Sequence, residues 1–164
     1  SQMLWASYFI NLRIIEVGGF QYELVSENPI TKEKEECIKM HVPKGASLKE
    51  EDVRGSIRKS TYEIERYFNV KDINYYIESW LLSPEVLALL DDNSNILKFS
   101  KLFSIKSRGE CTRDILDFVF NDVYIKDYNL LVCKTSLQVK LKSLLINKKE
   151  IHIGIGKLKQ VDQI

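Results

Sequence analysis

Proline and glycine are scarce in the 164 residues, at three and seven, and cysteine occurs only as Cys37, Cys111 and Cys133. So little Pro and Gly excludes collagen-like and low-complexity chains. Three widely separated cysteines form neither a disulfide framework nor paired metal-ligand spacing, so no metal is expected and a reducing cytoplasm is the natural setting. Long apolar runs are missing too. Leu81-Leu82 and Leu89-Leu90 fall far short of the roughly 20 residues that span a bilayer, and no secretory leader is visible. One sign of charge does not dominate: 24 Lys and Arg against 23 Asp and Glu leave a formal +1, which gives no global field for nucleic acid or an anionic membrane. The lysines from Lys126 to Lys159 lack interleaved arginine or aromatic residues and read as a solvated face.

What is present is the balance of an ordinary globular chain, 45% hydrophobic and 29% charged, sized for a single domain over residues 1–164. Ser1-Gln2-Met3 runs straight into a periodic segment, as expected of a piece of a protein that is longer on its N-terminal side. Trp5, Phe9 and Leu12 recur at helical spacing up to Arg13. Ile14 to Val17 and Phe20 to Val25 then flank Gly18-Gly19, a pair suited to a tight hairpin. After a charged loop with Asn28-Pro29, Cys37 to Val42 alternates like a half-buried strand.

Ser47 and Glu50 have the spacing of a capping box, and the helix they open should bury Val53, Ile57, Ile64 and Phe68. Ile73, Tyr75 and Ile77 mark a fourth strand, and the helical crossover makes it parallel to the third. Ser83-Pro84-Glu85 starts a short helix that Asp91 to Asn95 stops. Ile96 to Ile105 and Ile115 to Phe120 are read as two further strands around a turn at Ser107 to Glu110, and Leu137, Leu141 and Leu144 as a last helix before a tail. The expected class is α+β (α/β mixed): a mostly antiparallel sheet of about six strands with one parallel pair, flanked by three or four helices.

This order of elements, together with Gln21-Tyr22-Glu23-Leu24, His41-Val42-Pro43-Lys44-Gly45, Ser79-Trp80-Leu81-Leu82-Ser83-Pro84, Ser94-Asn95-Ile96 with Phe99, and Asp117-Phe118-Val119-Phe120, resembles the GNAT acyltransferase superfamily. Within it, the chain resembles the GNAT-like C-terminal domain of bacterial two-domain proteins labelled acyltransferases, over roughly Arg13 to Leu158. The resemblance implies an N-terminal domain of the same polypeptide as partner, or a homodimer of the isolated domain. It also implies acyl-coenzyme A as co-substrate, lying where two parallel strands splay, with an acyl group passed to an amine. Its pyrophosphate would meet backbone amides of a loop at a helix N-terminus, here Val42, Lys44, Gly45, Ala46 and Ser47. The chain departs from that pattern in two ways: Pro43 removes an amide donor, and Pro84 to Leu90 lacks the Tyr that usually serves as general acid.

From the residues themselves, His41 on the polar strand face and Glu78 near the end of the next strand should share one cleft. A carboxylate beside an imidazole is a pairing for acid–base work, so both are candidate catalytic residues. The plain alternative is a hydrogen-bonded surface pair. The loop likewise reads either as an anion cradle or as a structural turn, because Glu50, Glu51 and Asp52 already complement the helix dipole. Trp80, Leu81 and Leu82 read as core anchors. Asp114 and Asp117, three apart on a strand, would point to opposite faces, and Gly154 and Gly156 before Lys157 lack the full phosphate-loop spacing. A second function class stays open: a catalytically silent module packed against another domain.

Overall fold

The computed structural model describes residues 13–160, so the expected helix around Trp5, Phe9 and Leu12 lies outside the described residues. Three antiparallel strands come first: β1 (Ile14–Val17), β2 (Phe20–Glu27) and β3 (Lys34–His41). Gly18 and Gly19 turn between the first two at φ of 58° and 85°, the positive pair that a two-residue hairpin of this hand requires.

Helix α1 (Glu50–Phe68) then crosses one face of the sheet and returns the chain as β4 (Tyr75–Ser79), parallel to β3. A 3₁₀ turn at Trp80–Leu82 leads to α2 (Pro84–Leu87) and α3 (Asn95–Ser100). Next come β5 (Phe103–Glu110), α4 (Thr112–Phe118), α5 (Ser136–Ile146) and β6 (His152–Leu158). The six strands lie in the order β1-β2-β3-β4-β6-β5. The mixed sheet with one parallel pair is as expected, but five helices flank it among the described residues, not three or four.

Alternation in the strands creates the main core. Ile15, Val17, Phe20, Tyr22, Leu24, Ile38, Met40, Tyr75 and Ile77 project to the face covered by Val53, Ile57 and Ile64 of α1. Each fully buried aliphatic side chain contributes about 1.5–3 kcal/mol. Two tyrosine hydroxyls inside this apolar layer need partners, and serines of α1 supply them. Ser56 Oγ donates to Val17 O at 2.6 Å and sits 2.7 Å from Tyr22 Oη; Ser60 Oγ donates to Ile57 O at 2.7 Å and sits 2.9 Å from Tyr75 Oη. Each serine proton is committed to a carbonyl, so both tyrosines donate. A smaller core joins Val86, Ile115, Leu116, Leu141, Leu145 and Ile151, and partly buried Trp80 packs against both.

Four local expectations are corrected. Lys49, not Ser47, occupies the N-cap of α1: Ser47 Oγ donates to Asp52 at 2.5 Å and Glu50 pairs with Arg54 at 3.0 Å, so no capping box forms. Ile96 to Ile105 is a helix followed by a strand, because the Ser94 hydroxyl accepts from the Leu97 N–H and starts a helical turn first. Ile115 to Phe118 belong to helix α4, whose Ile115 and Leu116 face the smaller core with the N-cap residue Cys111, and Val119 and Phe120 follow its end. The tail around Gly154 and Gly156 is β6, inserted between β4 and β5.

Candidate functional site

The parallel ladder between β3 and β4 runs only from Ile38↔Tyr75 to Met40↔Ile77. Beyond it β3 leaves through Val42 and Pro43, while Glu78 and Ser79 stay paired with Ile155 and Gly154 of β6. The two strands therefore splay at their C-terminal ends, where α/β folds characteristically place ligands. A cleft of about 430 Å³ opens there. The strand ends form its floor, the loop from Pro43 to Leu48 one wall, Trp80 and Leu81 another, and Ile96 of α3 with Asp114 and Phe118 of α4 close the rim.

Six of the seven residues singled out in the sequence meet here: His41, Glu78, Val42, Lys44, Gly45 and Ala46 all line the cleft. Ser47 does not, because its hydroxyl is turned to Asp52. The loop is a tight turn. Ala46 N–H donates to Pro43 O at 3.1 Å, and Gly45 takes the third position at φ 78°, where a side chain would be strained. That turn occupies the Ala46 amide, whereas no hydrogen bond to another described residue engages the backbone N–H of Gly45 or Ser47. Lys44 reaches across the rim, its Nζ 2.7 Å from Asp117 Oδ1 and 5.4 Å from the Phe118 ring centroid.

His41 and Glu78 share the cleft but not a bond. The carboxylate on His41 belongs to Glu23, whose Oε1 lies 2.9 Å from Nε2, while Glu78 has Lys39 Nζ at 3.8 Å. A carboxylate at Nε2 calls for a proton there, which in the neutral ring leaves the lone pair on Nδ1. Strand pairing explains the exchange of partners: Glu23 and His41 sit diagonally on adjacent strands of the same polar face.

Asp114, expected on a strand and turned away from Asp117, stands on a helix and lines the cleft. On a helix, residues three apart share a face, so Asp114 and Asp117 are neighbours and not opposed. Burial pushes the Asp114 carboxyl up, the charges of Asp117, Glu110 and Glu78 push it further, and only Arg113 opposes them. The signal that identifies this helix was present in the spacing of Cys111, Ile115, Leu116 and Val119. Cys37 and Cys111 are poor nucleophiles: burial raises the thiol of Cys37 to about 11 and that of Cys111 to about 12. Among the described residues no group of three or more His, Cys, Asp or Glu has the arrangement to hold a metal ion, and no helix is long and apolar enough to cross a membrane.

A splayed parallel pair with a glycine turn at its mouth is the arrangement of GNAT folds, and the family described as GNAT-like C-terminal domain matches residues 14–158. The chain belongs to this family. No curated protein matches its sequence. Solved structures do. An acyltransferase in complex with decanoyl-CoA is 20% identical, superimposes with a TM-score of 0.79, and is matched over 94% of this chain and 48% of its own. An acyltransferase in complex with CoA and 10C-teicoplanin is also 20% identical, with a TM-score of 0.78 over 94% of this chain and 49% of the other. At this identity the likeness establishes the fold. The GNAT-like C-terminal domain described here spans about half the length of the structures it matches.

Proposed function

We propose that this GNAT-like C-terminal domain takes part in transferring an acyl group from acyl-coenzyme A to an amine, with the β3–β4 splay as donor site. The observation that carries the reading is the cleft itself, which opens where a parallel pair parts and has a glycine turn, a lysine and unengaged amides at its mouth. Similar folds crystallised with coenzyme A and with decanoyl-CoA support it. Gly45 and Ser47 amides with Lys44 would receive the pyrophosphate, and Val42 and Ala46 would flank the pantetheine. Because Pro43 and the engaged Ala46 amide thin out the backbone donors, Lys44 carries more of the phosphate recognition than such loops usually ask of a side chain.

On the acceptor side His41, held by Glu23, offers the Nδ1 lone pair to the proton lost as the amine attacks, and Glu78 adds negative charge at the strand end. The amine nitrogen bonds to the acyl carbon, the C–S bond breaks, and the coenzyme leaves as thiol. In the whole protein a further domain would complete the acceptor pocket. The test is thiol release from octanoyl-coenzyme A with a primary amine, comparing the wild-type protein with His41→Ala. An amide product and a loss of at least roughly a hundredfold in the variant support the reading, and an unchanged rate overturns the role of His41.

A second reading, a silent module, draws on the Lys44–Asp117 pair and on Glu50, Glu51 and Asp52 at the start of α1, all of which disfavour phosphate. The exposed side chains of Tyr124, Leu130 and Val132 would then be the contact surface of a neighbouring domain.

A further inference from the structure

We propose that Asp114 is the residue that receives the ammonium group of the acceptor, so that the cleft selects a primary amine carrying its charge. The assignment rests on the acyl-transfer reading and names the side chain that the reading leaves out.

The other carboxylates around the cleft have partners. Asp117 is satisfied by Lys44 at 2.7 Å, Glu110 accepts from the Thr112 N–H, Glu23 holds His41 at 2.9 Å, and Glu78 has Lys39 at 3.8 Å. Asp114 lines the cleft without a hydrogen bond or an ion pair to another described residue. It stands on α4, across from the strand ends that carry His41 and Glu78. A half-buried carboxylate surrounded by Asp117, Glu110 and Glu78, with only Arg113 in opposition, is a costly arrangement that a cation would relieve.

Geometry gives the chemistry its order. The acceptor arrives as R–NH₃⁺, with its charge on Asp114 and its nitrogen facing the strand ends. Loss of one proton to solvent frees the nitrogen lone pair. Attack on the thioester carbon forms the C–N bond and breaks the C–S bond, and the second proton passes by way of His41 to the departing thiolate. The products are an amide and the coenzyme thiol, with one proton released.

The test uses the full chain, octanoyl-coenzyme A as donor and butylamine or benzylamine as acceptor. Asp114→Asn should leave the calorimetric affinity for octanoyl-coenzyme A within about twofold of wild type and raise the KM for the amine at least roughly tenfold. Asp114→Glu should recover part of the loss. In the wild-type protein kcat/KM for the amine should fall as pH drops through the raised Asp114 pKa. The part of that fall due to Asp114 should move to lower pH in Asp117→Asn, which removes a neighbouring charge, and be absent in Asp114→Asn, leaving the shallower dependence that deprotonation of the amine itself imposes. An unchanged amine KM and pH profile in Asp114→Asn overturns the assignment while the donor site stands. Transfer to neither amine, with octanoyl-coenzyme A bound, also overturns it. If octanoyl-coenzyme A does not bind the wild-type protein, the acyl-transfer reading and the assignment fall together.

Discussion

Lys44 Nζ lies 2.7 Å from Asp117 Oδ1, so the cation at the mouth of the donor loop is held by the helix on the opposite rim of the cleft. Both side chains are 46% exposed, and an ion pair so well solvated adds at most about 1 kcal/mol to stability. Its consequence is competition, because a phosphate entering the loop must draw Lys44 away from Asp117.

Asp117→Asn should therefore tighten coenzyme A binding several-fold while changing stability by less than about 1 kcal/mol. Lys44→Ala should weaken binding roughly tenfold. Calorimetric titration of both variants against coenzyme A measures each effect. Weaker binding in Asp117→Asn would show that the pair supports the loop instead of competing for its lysine.

Gly154→Ala should destabilise the fold strongly. A Cβ at Gly154 would stand 2.2 Å from the Leu82 carbonyl oxygen, a backbone atom that cannot swing aside. At Gly156 the nearest atoms are side-chain atoms at 2.7 Å, the Leu82 Cδ1 methyl, which a change of rotamer moves, and Phe103 Cβ, which only a small backbone shift relieves. The expected loss for Gly154→Ala is about 3 kcal/mol or more, and less for Gly156→Ala. Thermal unfolding of the two variants compares them, and equal melting temperatures would contradict the packing described here.

Ser60→Ala should cost about 1–3 kcal/mol, because it leaves the Tyr75 hydroxyl without an acceptor in the main core. Adding Tyr75→Phe should cost little more, since the orphaned hydroxyl leaves with it. A double-mutant cycle by urea denaturation reads the coupling. Strict additivity of the two changes would mean that the bond contributes nothing.

The sequence revealed elements whose signals are local and periodic. Gly18-Gly19 marked the hairpin, Val53, Ile57 and Ile64 marked α1, and the intervening helix made β3 and β4 parallel. It misled where one signal overlay another. Ile115 to Phe120 reads as an apolar strand until Cys111 is included, and that error placed Asp114 and Asp117 on opposite faces and removed both from the site. β6 was hidden because Gly154 and Gly156 lower strand propensity, and the reason for glycine there, the approach of Leu82, comes from a turn about 70 residues away in sequence. His41 and Glu78 were correctly brought to one cleft. That Glu23 holds the histidine depends on the diagonal register of β2 and β3, which pattern alone does not supply.

The link between α2 and β6 should be sensitive to pH. His152 Nδ1 lies 2.6 Å from Glu85 Oε1, and that bond raises the histidine pKa above 6.5, against desolvation and with help from Glu85, Glu150 and Glu110. Burial pushes the Glu85 carboxyl up, but hydrogen bonds from the His152 ring and backbone and from Ser83 outweigh it and leave it below 4.5. A raised histidine stabilises fully below 6.5 and loses that effect as pH climbs through its folded value. A lowered glutamate stabilises above 4.5 and loses the effect as pH falls through its own. The stability difference between wild type and Glu85→Gln should thus be largest between 4.5 and 6.5. Urea titrations at about pH 5.5 and about pH 8.5 test this, and an equal difference at both contradicts it.

Titration of decanoyl-coenzyme A into the full chain by calorimetry, run beside Lys44→Glu, tests the donor site most directly. Saturable binding at one site is expected, with a dissociation constant roughly between 1 μM and 1 mM as is usual for enzyme substrates, and a loss of at least tenfold, or about 1.4 kcal/mol, when Lys44 is reversed in charge. No heat at millimolar ligand, or equal affinity in Lys44→Glu, would contradict the placement of acyl-coenzyme A between β3 and β4.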